Sequence, residues 1–595
     1  MDLVITEGAD DGVELDHRIW QADVAPLVVG RPGDGMSRSV GLRFEATPLK
    51  VSRHVEFARL RFSVKGGVVT DSLRLRISRV LEPEDLPFDG VSRPSTRPHT
   101  SAHSFLEFDT AWGDGGANQL FYYSADISAI VNVIVTQPDW GQQGDGLLLL
   151  VEDVSVLRLV TNYLLFSEME PLRWPATLQV CRTLEETFTA RPIVGRPTDH
   201  SATVNFAALV GMEVFVEYGP EGLSQSTPPQ LVPADTPCDI QLDGLPADTR
   251  CEYRLRYRRA GSPEEFRTGP THSFRTQRAP GSSFVFTVQA DSHIWESRAK
   301  ADPDDDEMKL YVRTIDNATA DGPDLHFSMG DYSLTEYSQD QQHALDRYVV
   351  QRPFLDRMLH SVPFYLVIGN HEGELGYYHV QGDPMPTWAE TARLANVPNP
   401  YPDGFYSGCP DAAQNGADLR ESYYSWEWGD ALFVVLDPYW YTLERPFHNQ
   451  VPAMGGGWAW TLGQQQYDWL HQTLQDSERR WKIVLLHHLV GGIDHGNSAY
   501  GRGGIETAKH AVAGNPSFEW GGENDAGFSE FAARRPGFDH GPIHDMLLEG
   551  GVSVVITGHD HFYAHQELDG IVYLTVPQPQ DRLYQTGGMQ PGEYT

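Results

Sequence analysis

Between residues 284 and 577, short apolar runs alternate with longer stretches of mixed character. Each apolar run has the length and composition of a buried strand and is followed by polar residues. These runs are 284–290, 325–329, 364–368, 431–436, 481–486 and 552–556. Between them, 309–318, 344–360 and 464–474 have the character of helices. Such alternation of strands and helices predicts an α/β sheet.

The first half of the chain has a different pattern, made of short strands in which apolar and polar residues alternate. Val55–Val64 and Leu73–Ile77 follow this period of two, and one short helix is predicted at 124–134. Further strand-like runs lie between 187 and 276. We therefore predict three domains: a β-sandwich at 1–170, a second β-sandwich at 186–277 and an α/β domain at 283–595.

Charge limits the possible partners. The chain of 595 residues has 45 Lys and Arg against 82 Asp and Glu, a net charge of −37. A surface of this kind does not favour nucleic acid or anionic lipid as a partner. No apolar run is long enough to span a membrane, and the first residues carry no visible signal peptide. The acidity favours a secreted or cell-surface location, and a cytoplasmic one stays open.

Almost every strand of the α/β part ends in side chains that can bind a metal ion. Because ligands of open α/β sheets bind at the carboxyl ends of strands, these distant side chains can meet at one edge. Carboxylate, imidazole and amide groups suit Mn, Fe, Zn or Co, and the set is too large for one tetrahedral ion. It suits two ions about 3.5–4 Å apart. The candidate ligands are Asp291, His293, Asp331, Asn370, His487, His559 and His561.

Glycines precede three of these ligands, at positions 330, 369 and 558. We expect each glycine to let the chain turn sharply off its strand and to let an ion approach the backbone.

The ordered motifs DxH, GD, GNHE, VLLH and GHDH resemble the calcineurin-like metallophosphoesterase superfamily, in a bacterial branch similar to purple acid phosphatases. The resemblance covers about residues 284 to 577. It implies a four-layer α/β/β/α catalytic domain that hydrolyses phosphate esters, with a hydroxide between two metal ions as the nucleophile. It also implies that His371 is the general acid that protonates the leaving group. One ion would take Asp291, His293, Asp331 and His561, and the other Asp331, Asn370, His487 and His559.

Purple acid phosphatases have a tyrosine three residues after the bridging aspartate, where this chain has Leu334. The resemblance therefore does not extend to an Fe(III)–tyrosinate colour.

The β modules carry weaker resemblances. Residues 40–155 resemble a jelly-roll-like module of extracellular enzymes, and 187–276 resembles a fibronectin type III domain. In the latter pattern a tyrosine stands where this chain has Cys251, and a bridge between Cys238 and Cys251 stays open. A surface or a polysaccharide is the partner that such modules would bind.

Several residues near the motifs leave alternatives open. His488 could replace His487 as a ligand or contact the substrate at the rim of the site. Glu372 has either a local structural role or a catalytic one. Arg502 lies in the insertion 491–541 between two ligand clusters, and we predict that it contacts the substrate phosphate.

The resemblance favours a phosphomonoesterase that acts on a small phosphorylated molecule. The alternatives are a phosphodiesterase or nucleotide-cleaving enzyme of the same fold, and a surface or carbohydrate-binding protein without catalysis.

Overall fold

The computed structural model describes most of the chain after residue 176 and separate segments before it. The described residues are 2–4, 11–15, 19–22, 27–32, 38–45, 54–69, 73–80, 99–108, 120–136, 146–153, 161–166 and 177–580, the last without 221, 295–305, 339, 377–381, 443–455, 491–516 and 525–527. The chain divides into two compact units, Met1–Phe188 and Thr189–Thr595. No helix within the described residues is long and apolar enough to cross a membrane.

The first unit contains an antiparallel sheet of twelve strands. Along one strand, Val40, Leu42 and Phe44 are buried, as the period of two predicts. The predicted short helix is present at Ser128–Val135. The β-rich character of this part is confirmed, and the jelly-roll assignment stays a prediction. The strands are Asp2–Val4, Asp11–Leu15, Ile19–Ala22, Leu27–Pro32, Arg38–Glu45, Phe57–Val69, Leu73–Val80, His99–Phe108, Leu120–Tyr123, Gly146–Asp153, Thr161–Phe166 and Thr177–Cys181.

Two small sheets come next, which we call the sandwich module (residues 188–275), and all of this module except Phe188 lies in the second unit. Along its longest strand Cys251, Tyr253, Leu255 and Tyr257 are buried. Cys251 and Cys238 are free thiols, so the bridge left open by the sequence is absent. One sheet has Phe188–Gly195, Ala202–Ala208 and Cys238–Leu242; the other has Met212–Gly219, Gln225–Ser226, Gln230–Val232, Arg250–Arg259, Arg267–Thr268 and His272–Arg275. The fibronectin type III assignment of this module stays a prediction.

Two further sheets form the domain that carries the metal-binding motifs. The first is parallel and consists of β1 (Phe286–Gln289), β2 (Leu325–Ser328) and β3 (Phe364–Leu366). The second contains β4 (Ser407–Gly408), β5 (Tyr424–Trp428), β6 (Ala431–Val435), β7 (Trp481–Leu485), β8 (Val554–Thr557), β9 (Ala564–Leu568) and β10 (Ile571–Thr575). Its order is β4-β5-β6-β7-β8-β10-β9, and β6, β7, β8 and β10 run parallel.

Helices accompany both sheets. They are α1 (Asp306–Ala320), α2 (Gln341–Val349), α3 (Arg352–Leu359), α4 (Met385–Asn396), α5 (Gly463–Asp476), α6 (Phe518–Gly521), α7 (Phe531–Arg534) and α8 (Ile543–Glu549). Short 3₁₀ turns occur at Glu185–Thr187, Thr335–Tyr337, Asn370–Glu372 and Gly456–Ala459. The stretch 344–360, expected as one helix, is divided between α2 and α3. Pro353 lies in the first turn of α3, where its missing N–H does no harm, whereas inside one long helix it would break a hydrogen bond.

The strand residues alternate between two cores, and this alternation produces four layers. Phe327 and Phe433 lie in the core between the two sheets. Strand residues on the outer faces of the two sheets pack against helices. Phe364 of β3 packs with residues of α1 and α3, and Val434 of β6 packs with residues of α5 and α8. The α/β/β/α order follows from this period of two in strands that are buried on both faces. The predicted fold class is confirmed.

Candidate metal centre

The predicted metal ligands follow the carboxyl ends of five strands, and the structure brings them together. Asp291 and His293 follow β1, Asp331 follows β2 and Asn370 follows β3. The second sheet contributes the remaining histidines after β7 and β8. The carboxyl ends of the parallel strands of both sheets therefore lie at the same place, as expected for an α/β fold.

One group of ligand atoms is centred on Asp291. Its Oδ1 lies 3.4 Å from His561 Nε2 and 3.8 Å from His293 Nε2. The three side chains can hold one cation, since their ligand atoms lie within 4.8 Å of one another. Asp291 itself is fully buried, and its carboxylate accepts the backbone N–H of His559 at 2.9 Å.

A second group is centred on Asp331, His487 and His559, whose ligand atoms also lie within 4.8 Å of one another. His487 Nε2 is 3.2 Å from Asp331 Oδ2 and 3.2 Å from Asn370 Oδ1. His559 Nδ1 is 2.9 Å from the same amide oxygen. Asp331 Oδ2 is also 3.3 Å from His293 Nε2, so this carboxylate reaches both groups.

The structure also identifies what orients two of the histidines. His487 donates its Nδ1 hydrogen to the carbonyl of Met329 at 2.6 Å, which leaves Nε2 free to face a metal ion. His371 pairs through Nδ1 with the carboxylate of Glu336. Its Nε2 lies 3.9 Å from Asp331 Oδ2. Sequence reasoning missed Glu336, because a carboxylate five residues after the aspartate of a GD motif carries no recognisable spacing.

Glu372 has the structural role that the sequence left open. Its buried carboxylate accepts the backbone N–H groups of Gly369 at 2.6 Å, Asp331 at 2.9 Å and Tyr332 at 2.9 Å. It thereby ties the turn after β3 to the turn after β2. Burial and the nearby charge of Asp331 raise the pKa of Glu372 to about 7.

Two of the three glycines before the ligands act differently from the expectation. Only Gly330 has a left-handed backbone, with φ of 95°. A Cβ on Gly369 would lie 2.4 Å from Asp331 Oδ1, and one on Gly558 would lie 2.9 Å from Asp291 Oδ2. These two glycines make room for carboxylate ligands. Asp331 and His559 themselves also have a left-handed backbone, with φ of 50° and 69°.

The remaining predicted site residues have different outcomes. His488 is buried, and its ring packs against Trp460 at 4.5 Å and against His559 at 4.3 Å. It belongs to none of the groups of ligand atoms found among the described residues, whereas His487 does. Arg502 lies outside the described residues, so its contact with substrate stays a prediction.

The electrostatics of the site fit a cation. Burial lowers the pKa of His293, but the carboxylates of Asp291 and Asp331 outweigh it and raise the pKa to about 10. For His487, burial opposes the charges of Asp331 and Asp291, and the pKa is raised to about 9. The pocket thus attracts positive charge in its interior, and the mixed oxygen and nitrogen donors suit divalent transition ions.

Comparisons with known proteins match the part of the chain that contains the candidate ligands. A family model for calcineurin-like phosphoesterases matches residues 284–563. Among solved structures, PhoD is 16% identical, with 66% of this chain and 78% of that chain covered and a TM-score of 0.43. A purple acid phosphatase from yellow lupin seeds is 13% identical, with 98% and 89% covered and a TM-score of 0.45. Among curated proteins, none matches this chain.

Proposed function

We propose that residues 284–563, which match the family model for calcineurin-like phosphoesterases, hydrolyse phosphate esters at two metal ions that share Asp331. Metal-dependent hydrolysis of a phosphoester is the activity of the family. The observation that supports the specific site is the meeting of five strand ends, with ligand atoms grouped within 4.8 Å on both sides of Asp331.

The two groups of side chains would hold one ion each. Asp291, His293 and His561 would hold the first ion, and Asn370, His487 and His559 would hold the second. When bound, such a pair supplies Lewis acidity and lowers the pKa of water to near neutrality. The identity of the metals, with Mn, Fe, Zn and Co as candidates, belongs to this proposal.

His371 would donate the proton to the leaving oxygen. The Nδ1 contact with Glu336 fixes the ring, and Nε2 is left on the side of Asp331. A positioned imidazole of this kind contributes about 10²–10⁴-fold to a proton-transfer step. Because protonation matters most for a poor leaving group, loss of His371 should harm hydrolysis of alkyl esters more than of p-nitrophenyl esters.

The natural substrate would be a small phosphorylated molecule, and a monoester is preferred to a diester. A binding role for the N-terminal modules towards a surface or polysaccharide, and action outside the cytoplasm, stay predictions from the sequence.

A substrate panel tests the function. The EDTA-treated protein is reconstituted with Mn²⁺ or Zn²⁺ and assayed with p-nitrophenyl phosphate, bis-p-nitrophenyl phosphate and a nucleotide. We expect hydrolysis that EDTA abolishes, and loss of bound metal by elemental analysis in Asp331→Asn. The matched control Asp316→Asn changes an exposed carboxylate on α1 and should keep both properties. Absence of hydrolysis from the reconstituted protein on every ester would refute the proposal.

A further inference from the structure

Ser292 lies between Asp291 and His293, two candidate ligands of the first metal ion. Both neighbours have a left-handed backbone, with φ of 57° and 45°, which non-glycine residues rarely adopt. The backbone N–H of Asp291 donates to the Gly330 carbonyl at 3.0 Å, and that of His293 donates to the Asp331 carbonyl at 3.1 Å. Backbone hydrogen bonds thus hold the two ends of the loop 291–293, and side chains hold its middle residue.

The main side-chain partner of Ser292 is Gln351, between α2 and α3. Ser292 Oγ donates to Gln351 Oε1 at 3.0 Å, and the hydroxyl of Tyr311 on α1 donates to the same oxygen at 3.2 Å. Tyr311 Oη in turn accepts from Gln289 Nε2 at 3.4 Å. The carbonyl of Tyr332, at 3.2 Å, is a second and more distant acceptor for the serine hydroxyl. These side chains are at most 3% exposed, so one buried amide oxygen joins the loop to two helices.

The backbone of Ser292 is held from the segment after β10. Its carbonyl accepts the side-chain amide of Gln580, which is buried. This segment is itself anchored, because the carbonyl of Pro579 accepts the hydroxyl of Thr314 on α1 at 3.0 Å. The middle residue of the loop therefore has buried partners from two directions along the chain. Hydrogen-bonded networks of buried polar groups make the segments that they join rigid.

The network supports the two groups of ligands unequally. Its members are hydroxyls and neutral amides, so they act on a cation through the position of the loop 291–293 rather than through charge. In the second group, His487 is oriented by the Met329 carbonyl, and Asn370 lies in the turn that Glu372 holds. The network therefore holds ligands of the first ion, whereas these other contacts hold ligands of the second.

We propose that Ser292 and Gln351 are positioning residues for the first metal ion. Their hydrogen bond keeps the loop 291–293 in the backbone conformation that directs Asp291 and His293 towards the ion. This inference rests on the proposed function and deepens it, because it distinguishes the two ions by what supports their ligands. Contacts that orient metal ligands contribute about 10- to 100-fold to metal affinity. The second ion should keep its affinity when the network is broken.

Metal titration of the EDTA-treated protein tests the inference. Binding of Mn²⁺ is measured by calorimetry, and His561→Ala, which removes a ligand of the first ion alone, identifies the binding step of that ion. We expect Ser292→Ala and Gln351→Met to weaken this step about 10- to 100-fold and to leave the other step unchanged. The double variant should lose less affinity than the product of the two single losses, because both changes remove the same hydrogen bond. Gln580→Ala provides the same comparison if the other two variants do not fold.

Gln466→Met is the matched control. Gln466 is as buried as Gln351, and its side chain holds Asp437, after β6, through two hydrogen bonds of 2.8 Å. Asp437 belongs to none of the groups of ligand atoms found among the described residues. The control should lose stability in thermal denaturation and keep both binding steps.

Three results would overturn the inference: unchanged affinity in the folded network variants, equal weakening of both steps in them, or the same selective loss in Gln466→Met. A wild type that binds no Mn²⁺ would instead refute the proposed metal centre itself, and the inference with it. The two failures are distinguishable, because the first three results appear only in a protein that binds two ions.

Discussion

Five residues of the candidate metal centre hold their side chains at a conformational cost. Asp291, His293, Asp331, His559 and His561 all have φ between 45° and 69°. Non-glycine residues avoid this left-handed region, at a cost of about 1–2 kcal/mol each. Five such residues around one point indicate that the surrounding fold stabilises this backbone conformation, which directs the carboxylates and imidazoles towards the centre of the site. The side chains are placed by turns that begin directly after the strands.

The first prediction concerns the space that Gly369 leaves for Asp331. Gly369 has φ of −100°, so alanine is allowed by the backbone, but the added Cβ would lie 2.3 Å from the Asp331 nitrogen. We expect Gly369→Ala to lower the free energy of unfolding by about 1–3 kcal/mol and to weaken metal binding. Chemical denaturation and metal titration measure both. Gly211→Ala is the control, because its Cβ would make only an ordinary contact of 3.6 Å with Ala260. Equal behaviour of the two variants would contradict the steric explanation.

The second prediction concerns the contact between Glu336 and His371. Glu336→Gln keeps the shape of the side chain but removes the charge that orients and stabilises the protonated imidazole. We expect kcat for an alkyl phosphate to fall about tenfold or more, with a smaller effect on p-nitrophenyl phosphate and on KM. The control Glu549→Gln alters an exposed residue at the end of α8 and should leave kcat unchanged. A uniform loss on both substrates would show that Glu336 only supports the fold.

At the scale of elements, the sequence predicts the strands that carry the ligands better than it predicts their turns. The apolar run 481–486 and the observed β7 differ by one residue, because a buried strand has a strong local signal. The residue types of the candidate ligands and their positions directly after strands can also be read from short stretches of sequence. The pairing of Glu336 with His371 is different, because it depends on the packing of two 3₁₀ turns that lie 35 residues apart. The left-handed backbone of Asp331 is also invisible in the sequence, because only a small minority of aspartates adopt it, although aspartate is enriched there among non-glycine residues.

A buried histidine on β2 gives the third prediction, which concerns pH. His326 is 1% exposed, and its Nδ1 pairs with Thr287 Oγ1 at 2.8 Å. Burial lowers the pKa of His326 to about 3, far below the ordinary value of 6.5. The unfolded chain therefore binds a proton that the folded chain refuses, and the free energy of unfolding falls as pH drops from 6.5 towards 3. The slope is roughly 1.4 kcal/mol per pH unit within that window.

The variant His326→Gln isolates this contribution. Gln keeps a polar group near Thr287 but does not titrate, so the decrease in unfolding free energy between pH 7 and pH 5 should be smaller than in the wild type. Denaturation curves at the two pH values measure it. His200→Gln, which changes an exposed histidine, should keep the decrease of the wild type. An unchanged decrease in His326→Gln would mean that other groups cause the acid sensitivity.

At the scale of the second unit, the sandwich module is bound firmly to the α/β domain. Residues 277–283 join the two predicted domains, and this segment is tethered: Gln277 Nε2 donates to the carbonyl of Glu427 at 2.8 Å, and Arg278 pairs with Asp324 at 2.8 Å. Tyr253 of the module donates to the carbonyl of His360 at 2.8 Å. Composition alone cannot distinguish a free linker from a tethered one, because the tethering partners lie in distant parts of the chain.

Arg352 is the centre of this junction, and it gives the last prediction. Its buried guanidinium donates from Nη1 to Asn205 Oδ1 at 2.9 Å and from Nη2 to the Arg191 carbonyl at 2.6 Å, both in the sandwich module. Arg352→Ala leaves these buried acceptors unpaired, so the free energy of unfolding should fall by about 3 kcal/mol or more. Arg357→Ala, on the same helix α3, removes an exposed pair with Asp316 and should have little effect. Because the module is bound at this point, we expect residues 189–595 of the wild type to unfold in one calorimetric transition. In Arg352→Ala the same residues should unfold in two transitions. A single transition at the wild-type temperature would show that the junction does not couple the two parts.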